Sequence, residues 1–596
     1  MNPITQFAFK EIELGDLDND GYCLEQSKDG KNVIKLIRED RSIYLGSKYS
    51  VKRDIEQFIS QMGEYNINTI FIVFGIGTGE HILQLLKNIS KSNKILIIEP
   101  DNNILSLIHS MECYKTIIED KRVVVSPYDE NRIAVIYQVF IEEFNINNIK
   151  LMVYANYDKV YSAELLKCYE KLKSFIQSSI ININTTKYFA KQLFKCFINN
   201  IKYISKSTII NDFKDIYRGK PAIIVSAGPS LEKNIEQLTN VKDNFVVFSG
   251  GRTISALKKV DVIPDVVAVV DSGENSYRVI RTSLDCEAPL AFCEVTNFNV
   301  VKEYSGDKIF FQEGFNLGNV TADILEKQVD TLFQGGSVAH TCTSLAEYMG
   351  CNPIIFIGQD LAYTNGKTHA DVASFENNIA DGNEDMFVED VYGNKVATDM
   401  LFNSYRILLE SFIESCKDTT FINSTEGGAN IKGTLVMDLC DGIKKYSSDI
   451  PIDKTILKSK LDTVNNDNKI VINNVEKILN YMKDINKNCK KAIDISHDLM
   501  DYYLKGKSKN VNKLLSFIGS LNTKIQKLEI LNNLLQPIFY DILMNPEYAE
   551  KENEPEAERG IKLAKQTNTL YSNIVDAINE AVPLIEQCLV ELKEIK

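Results

Sequence analysis

Five stretches of this 596-residue chain set glycines beside side chains that can hold or move charge. The richest runs Gly358-Gln359-Asp360-Leu361-Ala362-Tyr363, then Thr364-Asn365-Gly366-Lys367-Thr368-His369-Ala370. It puts a carboxylate, a phenol, a cation and an imidazole within ten positions, on a polar loop of the kind that rigid scaffolds use for function. With only five histidines in the chain, His369 on that loop is a candidate general base, since an imidazole titrates near neutrality. Asp360 and Glu426 are the competing bases, and Tyr363 supplies the phenol. A second stretch, Ser226-Ala227-Gly228-Pro229-Ser230-Leu231, would bring backbone close to a ligand at Gly228 and start a helix at Ser230, its expected N-cap. The amide groups of such a helix start suit an anion, although a capped helix needs no ligand. A third, Gln334-Gly335-Gly336-Ser337-Val338-Ala339-His340, offers the same chemistry, with His340 expected to pack rather than react. Asn423-Ser424-Thr425-Glu426-Gly427-Gly428 is the fourth. The fifth, Gly75-Ile76-Gly77-Thr78-Gly79, precedes Glu99 by 99 − 79 = 20 residues, the spacing of dinucleotide-binding units. Glu80 breaks the full G-x-G-x-x-G, so a purely structural strand-to-helix turn is the expectation there.

The elements that must position these residues follow from hydrophobic period. The apolar run 70–74, an amphipathic stretch after Gly79 and a second run at 95–98 read as a βαβ unit, and 163–204 as a helical connector. Further strands are expected at 222–226, 245–248, 266–270, 290–292, 309–311, 354–357 and 420–422, most followed by a small or polar turn and a helix. That alternation builds a mostly parallel, doubly wound sheet. A helix is expected from about Met400, with Thr398 or Asp399 as its cap. Beyond 451 glycine thins to Gly506, Gly519 and Gly560, and helical spacing dominates. The expected class is α/β, with a Rossmann-like domain and connector at 1–204, a doubly wound catalytic domain at 205–448 and a helical domain at 449–596.

Composition narrows the function. Acidic residues outnumber basic ones, 67 − 81 = −14, which argues against a nucleic-acid binder. Hydrophobic residues at 44% and charged residues at 25% exclude a disordered chain. Apolar runs are far short of the roughly 20 residues of a membrane span. The first fourteen residues carry an acid early and no small-residue cleavage site. Twelve cysteines include no C-x-x-C and no zinc spacing. A cytoplasmic protein without metal or membrane partner is expected.

The ordered series of Ser226–Leu231, Gly335–His340, Gly358–Tyr363 with Thr368–Ala370, and Asn423–Gly428 resembles the motility accessory factor (Maf) family of flagellin glycosyltransferases, across essentially the whole chain. That family's central domain is similar to bacterial sialyltransferases that use CMP-activated sugars. The resemblance implies that Gly228, Pro229, Ser230 and Leu231 lie against the nucleotide, with Gly336, Ser337 and Gly358, and that Tyr363 binds the departing phosphate while His369 falls where a second tyrosine would be. Ser249 and Gly250 after the second central strand, Asp271 after the third and Thr425 complete the expected nucleotide site. Two departures stand out. Asp271-Ser272 replaces the family's frequent Asp-Pro, and Asn394, which cannot act as a base, stands in the neighbourhood of the sialyltransferase histidine.

What the resemblance implies is transfer of a nonulosonic acid, of pseudaminic or legionaminic type, from its CMP form to Ser or Thr hydroxyls of flagellin, with inversion, no cofactor and no metal, in support of flagellum assembly. The CMP-sugar is then a substrate and flagellin the partner. Two rivals stand beside it: a pterin-type pyrophosphokinase using ATP and Mg²⁺, because an archaeal family shares part of the motif series, and a non-catalytic flagellin-binding chaperone.

Overall fold

The computed structural model describes residues 21–594 except 39–40, 131, 242, 315, 375–385, 449, 463–466, 507–510, 528 and 552–553. The reading of the first fourteen residues as lacking a secretion signal therefore lies outside the described residues, as do the first twenty of the expected 1–204 domain. Two compact units emerge: 1–188 with 488–521 and 535–575, and 189–487 with 522–534 and 576–596. Parts of the helical stretch 449–596 thus belong to each.

In the first unit, β1 (Tyr22–Gln26), β2 (Asn32–Arg38) and β3 (Arg41–Tyr44) form an antiparallel sheet. A parallel sheet in the order β6-β5-β4-β7 contains β4 (Ile70–Phe74), β5 (Lys94–Glu99), β6 (Val123–Pro127) and β7 (Ile149–Val153). All five β4 side chains are buried, as the unbroken apolar run demands of a central strand covered on both faces. The helix Glu80–Asn88 links β4 to β5, the expected βαβ unit.

The second unit is organised on a nine-stranded, wholly parallel sheet. Its strands are β8 (Thr208–Ile209), β9 (Ala222–Val225), β10 (Val246–Gly250), β11 (Val266–Ala268), β12 (Leu290–Phe292), β13 (Lys308–Phe310), β14 (Ile354–Ile357), β17 (Phe421–Asn423) and β18 (Thr434–Val436). A separate antiparallel hairpin, β15 (Met386–Glu389) and β16 (Lys395–Thr398), precedes β17. The sheet order is β18-β17-β14-β9-β10-β11-β12-β13-β8. From β9 the chain steps outward through β10 to β13, then returns to lay β14 against the other side of β9. Winding therefore reverses between β9 and β14, which opens a crevice at the carboxyl ends of those two strands.

The connector is a helix, Ser162–Ile204, and the C-terminal stretch holds the helices Asn468–Lys505, Val511–Gln526, Asn532–Leu543 and Glu556–Lys593. Gly506, at φ +64°, ends the first of these C-terminal helices, and its N–H reaches the carbonyl of Tyr502 at 3.0 Å. All twelve cysteines are free. Among the described residues no helix is long and apolar enough to cross a membrane.

Candidate active site

The crevice between β9 and β14 is a cavity of about 360 Å³, within the usual range for small-molecule sites. Its floor is backbone meeting backbone. The Gly228 N–H donates to the Gly358 carbonyl at 2.7 Å, and a Cβ on Gly228 would stand 2.3 Å from Asp360 Oδ1. Gly358 is at φ +62°, and a Cβ there would stand 2.2 Å from the Ser226 carbonyl. No larger residue fits at either position, which is why each strand empties into glycine.

Asp360 locks the two turns together. Its Oδ2 accepts the Ser230 N–H at 3.0 Å and its Oδ1 accepts the Ser230 hydroxyl at 2.6 Å, both within a buried site. Burial pushes the Asp360 carboxyl up, against the opposing pull of those bonds. The expected N-cap role of Ser230 is not what its hydroxyl does: it makes no cap bond, and the helix it starts is a single turn, Leu231–Asn234, continued by a tighter turn over Ile235–Asn240. From behind, the loop after β17 supports Asp360, where a Cβ on Gly428 would stand 2.4 Å from its Cα.

His369 reaches the cavity because the next residue is tied to the first turn, the Ala370 N–H donating to the Ala227 carbonyl at 2.9 Å. Burial, and then the charge of Arg252, lower its basicity to about 4, so the imidazole is neutral at pH 7. Its Nδ1 lies 3.1 Å from the Thr368 hydroxyl.

Two helices close the other walls. Val338–Tyr348 begins at the cavity, with Ser337, Val338 and Ala339 lining it. The buried His340 bridges this helix to Met400–Ser415: Nε2 faces the Tyr405 carbonyl at 2.9 Å and must donate, which leaves Nδ1, 2.8 Å from Ser337 Oγ, to accept. That assigns the neutral imidazole, which burial also favours, so the structure packs this residue as the sequence suggests. The bridge brings Tyr405 and Phe402 to the cavity, the Tyr405 ring filling the space where a Cβ on Gly336 would stand at 2.6 Å.

The expected site residues divide. Gly228, Gly250, Asp271, Ser337, Gly358, Asp360 and His369 all line the cavity, Asp271 at an exposed position. Among the described lining residues are not Pro229, Ser230, Leu231, Ser249, Gly336, Tyr363, Thr425 or Glu426. Most of these support the wall: Ser249 Oγ lies 2.6 Å from Thr253 Oγ1, and Thr425 bonds through N–H and hydroxyl to Asn423 Oδ1. Tyr363 is drawn off by the hairpin, its N–H donating to the Ala397 carbonyl at 2.8 Å and its hydroxyl to Asp399 at 2.5 Å. Asp399 also caps Met400–Ser415 through the Phe402 N–H. Glu426 stands 4.0 Å from Lys233, whose ammonium bonds the Glu426 carbonyl, and Lys367 pairs with Asp371. Asn394 sits in the hairpin turn, its N–H on Asp390 Oδ1. Ser226 and Thr368, which lie in the stretches singled out above without a role assigned to them, also line the cavity, and missed from sequence were Arg252, Phe402 and Tyr405 on the same wall. Among the described residues no group of three or more His, Cys, Asp and Glu side chains is placed to hold a metal ion.

The glycine turn after β4 is closed from within. A Cβ on Gly75 would stand 2.5 Å from the Tyr157 ring, and one on Gly77 would stand 2.8 Å from Tyr154. Glu99 spends both oxygens internally, accepting from the Ile76 and Asp101 N–H groups and from the Tyr157 hydroxyl at 2.8, 3.0 and 2.9 Å. The Tyr157 oxygen in turn accepts the Gly77 N–H at 3.0 Å. Of the parts that would hold a dinucleotide, the Ile76 amide is taken by Glu99, the Gly77 amide and Glu99 itself by Tyr157, and the space beside Gly77 by the Tyr154 ring.

Residues 195–366 match a family model described as 6-hydroxymethylpterin diphosphokinase MptE-like. That span begins in the connector helix and runs through β14 to just before His369. No protein of curated function matches the chain in sequence. Among solved structures, the chain is similar to the Maf glycosyltransferase from Magnetospirillum magneticum AMB-1, at 13% identity and a TM-score of 0.56, over 97% of this chain and 93% of that one. Over nearly its whole length, then, the chain has the fold of a Maf glycosyltransferase.

Proposed function

We propose that the protein is a cytoplasmic glycosyltransferase that moves a nonulosonic acid, of pseudaminic or legionaminic type, from CMP to Ser or Thr hydroxyls of flagellin. The observation that carries this reading is convergence: the turns after β9, β10 and β14, the start of Val338–Tyr348 and His369 meet in one cavity at the winding reversal. The fold shared with a glycosyltransferase supports it. In the reaction the acceptor oxygen bonds to the anomeric carbon as the carbon–oxygen bond to phosphate breaks, its electron pair leaving on CMP. One such displacement inverts the centre. The alcohol proton passes to His369, which is neutral at pH 7 but, lowered to about 4 by burial and Arg252, a weaker base than the near-neutral imidazole expected from the sequence. The phosphate carries the departing charge, so the cavity's task is to hold that charge with fixed donors.

The test is mass spectrometry of flagellin incubated with CMP-activated nonulosonic acid and either wild type or His369→Ala. Wild type adds the sugar mass, and the variant is slowed on the order of 10²-fold or more, the usual scale of a lost general base. Transfer within a few-fold of wild type removes His369 from the chemistry. No transfer by wild type defeats the reading. The family match over residues 195–366 favours a second reading, a diphosphokinase acting on a pterin alcohol. AMP release from ATP, dependent on Mg²⁺ and a hydroxymethylpterin, would establish that reading in place of the first.

A further inference from the structure

A chain with 67 Lys and Arg residues places one of them, Arg252, on the cavity wall among the described residues. The turn that carries Arg252 is held on both sides. Before it, Gly250 and Gly251 pack so closely that a Cβ would stand 3.2 Å from Val338 and 3.1 Å from Ile280. After it, the buried Thr253 hydroxyl lies 2.6 Å from Ser249 Oγ, 3.1 Å from the Gly250 carbonyl and 3.2 Å from the Val225 carbonyl. The guanidinium's charge is felt at His369, where it adds to burial in weakening the base. A further donor waits nearby. Ser226 Oγ, on the same wall, is buried with no hydrogen-bond partner among the described residues, and a ligand acceptor would supply one.

We propose that Arg252 and the Ser226 hydroxyl are the anion subsite of this cavity, where the guanidinium takes phosphoryl oxygens of the bound ligand. A planar guanidinium presents paired N–H groups that match a phosphate. Apolar neighbours on the wall, Val279, Val338 and Phe402, strengthen the attraction by lowering the local dielectric. That the phosphate belongs to a cytidylate rests on the transferase reading; that a phosphate is held here does not.

The test is calorimetric titration of the full chain with CMP, cytidine and inorganic pyrophosphate, for wild type, Arg252→Gln, Arg252→Lys and Ser226→Ala. Wild type is expected to bind CMP at least tenfold more tightly than cytidine. Arg252→Gln loses at least tenfold for CMP while cytidine stays within twofold, Arg252→Lys falls between, and Ser226→Ala loses a few-fold. Unchanged cytidine affinity reports an intact cavity, and Arg252→Lys keeps the charge if the glutamine variant fails to fold. CMP affinity unaltered in both Arg252 variants, equal losses for CMP and cytidine, or no binding of any probe by wild type overturns the subsite. Arg252-dependent pyrophosphate binding without CMP or cytidine binding keeps the subsite and defeats the cytidylate.

Discussion

Replacing Asp360 by alanine and by asparagine separates holding a turn from taking a proton. Both oxygens accept from Ser230, through its N–H at 3.0 Å and its hydroxyl at 2.6 Å. Bonds to a charged group are worth about 1.5–3 kcal/mol each, so Asp360→Ala, which leaves both donors unpaired, should cost about 3–6 kcal/mol. Asparagine retains one acceptor for the N–H, and its amide can donate to the Ser230 oxygen, so Asp360→Asn should cost no more than about 1.5 kcal/mol. Urea denaturation followed by far-UV circular dichroism gives both values, and CMP titration reports whether the turn still shapes the cavity. If Asp360 only positions the turn, Asp360→Asn keeps CMP affinity and transfers sugar within about tenfold of wild type. Normal CMP binding with transfer abolished would make Asp360 the base. An alanine variant destabilised by less than about 1 kcal/mol would show that the carboxylate does not hold the turns together, and the account of the cavity floor would fail.

Acid should loosen the first unit through His81, which is fully buried, stacked on Tyr154 with ring centroids 3.7 Å apart, and held down to about 3 by burial. Its folded value lies below the unfolded value near 6.5, so the unfolded chain binds the proton first and stability falls as pH drops below 6.5. Between pH 6.5 and 5 the loss is about 2 kcal/mol, and His81→Phe should flatten that slope in urea midpoints; an unchanged slope refutes the assignment. His369, also held low by burial, acts in the same direction in the second unit. Tyr157→Phe strips the Gly77 N–H and Glu99 of a partner and should cost about 1–3 kcal/mol, while titration of wild type with NAD⁺ should give no signal; binding of NAD⁺ would refute the closed turn.

Strands and turns of the second sheet were legible because buried parallel strands must be unbroken apolar runs and close-packed ends must be glycine. Ile354–Ile357 followed by Gly358 shows both constraints in five letters. Orientation was not legible. Tyr363 reads as a site residue, yet Leu361 at φ +49° and the pairing with Ala397 turn it toward Asp399, and neither can be foreseen from local sequence. Tyr405 carries no local signal either, since only the His340 bridge between two helices brings it to the cavity. Arg252 lies two residues past Gly250, within a turn the sequence singled out, but one arginine among 67 cations has no mark until a wall forms around it. The opposite lesson comes from Gly75–Gly79. A spacing shared with dinucleotide folds is filled by aromatic rings from after β7, some eighty residues downstream of the loop they occupy.

Ser230 and Asp360 are 130 residues apart along the chain. On the ribosome the first half of the crevice therefore emerges long before the second, with the Gly228 amide and the Ser230 donors waiting in water for acceptors not yet synthesised. Contacts of such long sequence separation close slowly, after local helices have formed. A nascent chain cut before β14 should carry several ordered βα units and no capacity for ligand. Competence would arrive late and abruptly, once the polypeptide has passed Gly428, whose loop backs Asp360.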